Sequence, residues 1–264
     1  MIVNVNKKVI LISIDGMRPD GFLACKNPYI DTMMKEGSYT LNGRTVFPSV
    51  TLPCHMSLFH SVPPERHGIT TNLYMPPVRP VNGLFEQLKF MRKKSAFFYG
   101  WEPLRDVARP LSCVWTEYIC ARAFDNTDNK LADRAISFIE QEKPDFVFLY
   151  MVETDEKGGH DVSWMSDTYL DIIANAINNV KRVREKFGDE YTVVVTADHG
   201  GHDRCHGTDM PEDMTIPMFF FGEDFEAGKV LENITILDIA PTIAEVIDVP
   251  GAPEWEGKSL VEVK

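Results

Sequence analysis

Short apolar runs alternate with longer amphipathic stretches along most of the chain. VILISI before Asp15, Ser95–Tyr99 (SAFFY), Asp145–Val152 (DFVFLYMV), Thr192–Thr196 (TVVVT) and Met214–Gly222 (MTIPMFFFG) are rich in β-branched and aromatic residues. Each is too short for a buried helix and suits a strand covered on both faces. Between them lie helical patterns. Asn27–Gly37 carries Pro28 early and Gly37 late, matching start and stop signals. Leu52, Met56 and Phe59 form the stripe of a helix beginning near Thr51, with Pro53 tolerated in its first turn. Asn82–Lys94 presents Leu84, Phe85, Leu88 and Met91. Asp128–Glu142 presents Leu131, Ala135, Phe138 and Ile139, with Asp128 as its cap. Ser166–Phe187 presents Tyr169, Ile172, Ile173, Ala176 and Val180, and Ile234–Ile247 is again helical in pattern. This alternation predicts one α/β domain over residues 1–264, with a mostly parallel sheet flanked by helices.

Three stretches fall outside the alternation. Pro63 to Pro80 is a long loop, placed near the Thr51 helix in sequence and so a candidate pocket wall. Cys113 and Cys120 have same-face helical spacing and are expected to be buried. The tail around Trp255 reads as a closing loop with a tryptophan anchor.

Composition narrows the possibilities. The chain has 264 residues, enough for a large core, with 44% hydrophobic and 25% charged residues, ordinary for a globular protein. A net charge of -12 argues against a nucleic-acid groove driven by basic surface, although a metal-bearing cleft would still draw an anion. Five cysteines, an odd number without close pairing, point to free thiols in a reducing compartment. The first twenty residues lack a signal-peptide layout, because the apolar run before Asp15 is short. No run approaches the roughly 18 apolar residues of a membrane span. The expectation is a soluble cytoplasmic protein without a membrane partner.

The chemistry-bearing residues cluster where strands should stop. Asp15-Gly16 follows the first strand. Asp155, with His160 shortly after, follows the strand ending at Val152. Asp198-His199-Gly200-Gly201 follows Thr196, with His202 and His206 close behind. Taken singly, Asp15 fits a helix cap as well as a ligand. Thr51, at or near a helix N-terminus that favours anions, is either a plain cap or a nucleophile beside a phosphate site. Capping does not readily explain three such strand ends in one chain. The carboxyl ends of parallel strands share one edge of the sheet, so the three groups can converge there. Three carboxylates beside two divalent cations leave one positive charge over, which suits an ionised Thr51 or an anionic substrate.

DGMRPD at Asp15, FPSVTLPCH around Thr51, ERHGI at Glu65, TDEKGGH at Asp155, ADHGGH at Asp198 and the CHG holding His206 appear in one order over nearly the whole chain. In this set the chain resembles the alkaline phosphatase superfamily, and within it the type I phosphodiesterase/nucleotide pyrophosphatase branch, here without a large cap domain. The resemblance implies two divalent cations, zinc or else manganese, about 4 Å apart. Asp15, Asp198, His199 and the Thr51 oxygen would hold one, and Asp155, His160 and His206 the other. It implies hydrolysis of a small phosphoric ester, with Thr51 attacking phosphorus to give a phospho-enzyme intermediate. The family carries an Asn a short way after the nucleophile to hold a phosphate oxygen; here Cys54 stands three residues on, and His202 is a second candidate substrate contact. The family's Asp-to-His spacing of four is five between Asp155 and His160. Alternative activities are a phosphomonoesterase, a phosphonate hydrolase, a phosphomutase or a catalytically silent metal-binding relative. A sulfatase is disfavoured, because Cys54-His55-Met56-Ser57 lacks the Pro and Arg its modified residue needs.

Overall fold

β1 (Lys8–Ile14) is buried from Val9 to Ile14, and it takes the centre of the sheet accordingly. A computed structural model describes residues 7–261; the outermost residues of the expected 1–264 domain lie outside that range. The other strands are β2 (Ser38–Arg44), β3 (Ser95–Tyr99), β4 (Trp115–Tyr118), β5 (Phe146–Met151), β6 (Tyr191–Thr196) and β7 (Thr215–Phe221). They form one sheet in the order β2-β7-β6-β1-β5-β3-β4. β1 pairs in parallel with β5 and β6, and β3 pairs in parallel with β5 and β4. β7 runs antiparallel to both β6 and β2. The sheet is therefore mostly parallel, as expected, with one reversed strand near an edge.

The helices are α1 (Pro19–Ala24), α2 (Tyr29–Glu36), α3 (Thr51–His60), α4 (Pro64–His67), α5 (Leu84–Phe90), α6 (Thr127–Glu142), α7 (Asp167–Phe187), α8 (Pro211–Met214) and α9 (Ile239–Val246). All ten residues of α3 are buried, so a single stripe understates it. Its Phe59 stacks on Phe85 at 4.9 Å and meets the β5 residue Phe148 edge-on at 4.9 Å. No helix among the described residues is long and apolar enough to cross a membrane.

Several local expectations change. Asp128 does not cap its own helix. Its carboxylate accepts the Val152 and Glu153 N–H groups beyond β5, while the Glu153 carboxylate accepts the Thr127 N–H at 3.0 Å at the start of α6. The two acids thus tie the α6 N-terminus to the β5 exit reciprocally, satisfying donors that a helix end leaves free. Cys113 and Cys120 are not on a helix: the edge strand β4 lies between them, and both are half-buried. β2 and α1 were not legible beforehand. The Ile234–Ile247 stretch splits into a 3-10 turn, Ile236–Asp238, and α9. Trp255 does anchor the tail, donating its indole N–H to the Asn82 carbonyl at 2.8 Å.

Candidate active site and metal centre

β6, β1 and β5 are neighbours, so their carboxyl ends deliver Asp198, Asp15 and Asp155 to one place on the sheet edge. Two ligand groups form there. Asp15, Asp198 and His199 offer donor atoms within 4.8 Å of one another, and so do Asp155, His160 and His206. His199 Nε2 lies 3.3 Å from Asp15 Oδ1 and 3.4 Å from Asp198 Oδ2. Asp155 faces His160 Nε2 at 3.5 Å and His206 Nε2 at 3.8 Å. The groups adjoin: the His199 and His206 rings stack with centroids 3.9 Å apart.

The backbone fixes each imidazole. His199 Nδ1 donates to Gly200 O at 2.7 Å, His160 Nδ1 to Arg204 O at 3.0 Å, and His206 Nδ1 to Ser49 O at 2.9 Å. With every Nδ1 occupied by a carbonyl, every Nε2 keeps its lone pair turned to the carboxylates, the tautomer a metal ligand requires. Asp155 and His160 sit in a π-type turn, Thr154–His160, which spreads the five-residue spacing over a wider helical turn.

A test of fit comes from the polar atoms. Among the described residues, Asp15 Oδ1, Asp155 Oδ1 and Asp198 Oδ2 are buried side-chain oxygens without a hydrogen-bond partner, one from each strand end. An unpaired buried carboxylate oxygen is costly, and three converging on one spot fit a cation. Burial and the neighbouring Asp198 and Asp155 carboxylates push Asp15 well above the usual carboxylate range, despite a hydrogen bond from the Tyr150 hydroxyl. Burial pushes Asp155 up to about 6. Burial, with the His199 ring beside it, pushes His206 down to about 3, so that ring is neutral.

Thr51 is the first residue of α3, and Val50 occupies the cap position without a side-chain cap bond. The Thr51 hydroxyl is therefore not a cap; it lies 3.1 Å from His199 Nε2. His55, one turn on, donates from Nδ1 to the Thr51 carbonyl at 2.8 Å and reaches Ser13 with Nε2, so it packs beneath the site.

Cys54 is not a substrate contact. Its side chain is turned into the core, with Sγ near Thr45 Oγ1 at 3.2 Å, and burial raises its thiol pKa strongly. Asn72, not singled out in the sequence, is exposed in the Pro63–Pro80 loop, and its Oδ1 accepts the N–H of Leu52, the residue after Thr51, at 2.9 Å. His202 is tied to Asp213 at 2.7 Å and faces Cys205 Sγ, outside both ligand groups. Cys205, beside His206 in the chain, is exposed. Arg18 pairs with Asp20 and donates to Gly201 O, a structural role.

Residues 114–250 match the metalloenzyme superfamily. The chain belongs to that superfamily, the alkaline phosphatase superfamily its motifs resemble. Residues 9–110 match the type I phosphodiesterase / nucleotide pyrophosphatase family. Phosphopentomutase of Alkaliphilus metalliredigens (strain QYMF) is 25% identical over 126 residues, 47% of this chain and 31% of the relative. Ectonucleotide pyrophosphatase/phosphodiesterase family member 1 of Homo sapiens is 29% identical over 174 residues, 56% of this chain and 18% of the relative. The chain thus spans less than a third of the length of these curated relatives. Among solved structures, murine ectonucleotide pyrophosphatase / phosphodiesterase 5, in an inactive threonine-to-alanine form with AMP, superposes with a TM-score of 0.78. The identity is 15%, over 94% of this chain and 96% of that one. The phosphonate monoester hydrolase of Silicibacter pomeroyi gives 0.74 at 15% identity, over 96% and 76%. At such identities these structures show a shared fold.

Proposed function

We propose that the chain is a metal-dependent hydrolase of small phosphoric esters, of phosphodiesterase or nucleotide pyrophosphatase type, acting through Thr51. The observation that carries this reading is the Thr51 hydroxyl, uncommitted to capping, 3.1 Å from His199 Nε2 in a group of buried carboxylates. Asp15, Asp198 and His199 would hold one divalent cation, and Asp155, His160 and His206 the other. The mixed oxygen and nitrogen donors suit zinc or manganese. When bound, the cations supply Lewis-acid polarisation of the phosphoryl oxygens and make the hydroxyl more acidic.

The chain's own residues do the rest. The Thr51 hydroxyl gives up its proton to water, Oγ1 forms a bond to phosphorus while the ester P–O bond breaks, and the departing alkoxide takes a proton back from water. The α3 N-terminus presents its dipole to the phosphoryl group. The free amide of Asn72 donates to a non-bridging oxygen. Water then attacks the phospho-threonine, the P–Oγ1 bond breaks, and Thr51 is regenerated. The five free cysteines support a reducing, cytoplasmic setting.

A second reading draws on the phosphopentomutase relative, in which the phosphoryl group would pass to another hydroxyl in place of water. A panel of chromogenic mono-, di- and phosphonate esters, run on metal-analysed protein, separates the two. Diester turnover is expected, falling at least about 10³-fold in Thr51→Ala while the metal content is unchanged. Persistent turnover in Thr51→Ala would remove the nucleophile from the account.

A further inference from the structure

We propose that Trp164 is a positioning residue that joins the two ligand groups and sets the metal affinity of the Asp155–His160–His206 group. This inference rests on the two-cation reading above. Trp164 lies between the π-type turn and α7 and is 4% exposed. Its indole N–H donates to Gly16 O at 2.9 Å, a carbonyl that also accepts the Tyr169 hydroxyl at 2.9 Å. The Gly16 N–H donates in turn to Asp198 Oδ1 at 3.2 Å. One side of the indole is therefore a single hydrogen bond from the residue after Asp15 and two from Asp198.

The other side of the ring touches the second group. The indole meets the His160 ring edge-on at 5.2 Å and the His206 ring at 6.0 Å. Its backbone N–H and the Ser163 hydroxyl both donate to Asp203 O, at 2.8 and 2.6 Å, which anchors the loop that leads to His206.

Three glycines make room for the ring, one on each ligand-bearing loop. Gly16 follows Asp15, Gly159 precedes His160, and Gly201 lies just past His199. A Cβ at Gly16 would stand 3.3 Å from the indole and one at Gly159 2.5 Å from it, and Gly201 lies against the same ring. Real Cβ atoms do not approach so closely, so any larger residue at Gly159 or Gly201 would displace the ring.

The two groups depend on this ring unequally. Asp15 is held by Tyr150, Asp198 by the Gly16 N–H, and His199 by Gly200 O. Besides the indole, the His160 ring has Arg204 O, Asp155 and the tilted His206 ring at 5.1 Å, and its side chain is 35% exposed. Removing the indole should loosen His160 and His206 while leaving the first group in place. Outer partners that orient ligands are typically worth about 10–100-fold in metal affinity.

The test is manganese(II) binding by calorimetry to the metal-free full chain, comparing wild type, Trp164→Phe, Trp164→Leu and His160→Ala. His160→Ala identifies which of the two binding steps belongs to the second group. The expected result is two ions per wild-type chain, and in Trp164→Phe a loss of about tenfold or more confined to the step that His160→Ala abolishes. Trp164→Leu should lose more. If the variants fail to fold, quenching of tryptophan emission in the wild type decides: a manganese(II)-dependent component that tracks the second ion is expected. Equal weakening of both steps in Trp164→Phe, unchanged affinity, or quenching complete with the first ion would each overturn the proposal. A wild-type chain that binds fewer than two ions would instead sink the two-cation reading and take this inference with it.

Discussion

The two ligand groups use the same kinds of side chain but are enclosed to different degrees. Asp15, Asp198 and His199 have side chains 2%, 0% and 0% exposed, and they come from the ends of adjacent inner strands. His160 is 35% exposed and His206 9%, and they come from a π-type turn and a loop. Buried carboxylates facing each other have no solvent to relieve them, so a cation among them is held firmly. The half-open group has water at hand and fewer fixed partners. The molecule thus has an enclosed group beside Thr51 and a more open one next to it. That division suits a reaction in which one cation stays with Thr51 while substrate and product pass the other.

The largest break in this comparison should come from Asp198→Asn. Losing one charge from the enclosed group should lower turnover at least about 10³-fold, and excess metal should not restore it. Metal analysis beside the diester assay checks both parts. His160→Ala should cost less, about 10–100-fold, and millimolar zinc or manganese should recover part of it, because an exposed position can be refilled. Rescue of Asp198→Asn but not of His160→Ala would reverse the comparison.

A smaller effect concerns α3, which carries Thr51. His67 holds Ser57 of that helix at 3.0 Å and accepts the Ile69 N–H at its other nitrogen. Burial, with His60 beside it, lowers its pKa from 6.5 to about 3. A depressed folded-state value means the contribution to stability is complete above the ordinary histidine value and is lost as pH falls towards the folded one. Wild type should therefore lose thermal stability between about pH 7 and about pH 4, and His67→Gln should lose less over the same window. Melting curves across that range check the sign. The smallest effects separate two neighbours. Asn72→Ala should raise KM or lower kcat by about tenfold, whereas Cys54→Ala should leave both within about twofold.

The meeting of Asp15, Asp155 and Asp198 at one edge was legible in the sequence because each acid lies within three residues of a run of β-branched or aromatic residues, and the ends of parallel strands share an edge. Inner strands were legible for the same reason. β2 was not: SYTLNGR is polar, half-buried and broken by a register shift between Thr40 and Gly43. β4 is a short, exposed edge strand whose residues lack a buried face to set a pattern. Asn72 and Trp164 were missed for a different reason. Asn72 reaches Leu52 only because a long loop returns, and Trp164 reaches three glycines on separate loops. Neither closure leaves a mark in local periodicity.

The claim beneath all of this is that three strand ends cage two cations next to one hydroxyl. Anomalous diffraction from crystals grown with zinc tests it directly. The account predicts two metal peaks, one bounded by Asp15, Asp198 and His199 against Thr51, the other by Asp155, His160 and His206. A map with no peak at this edge of the sheet, or with Thr51 remote from both, would contradict it.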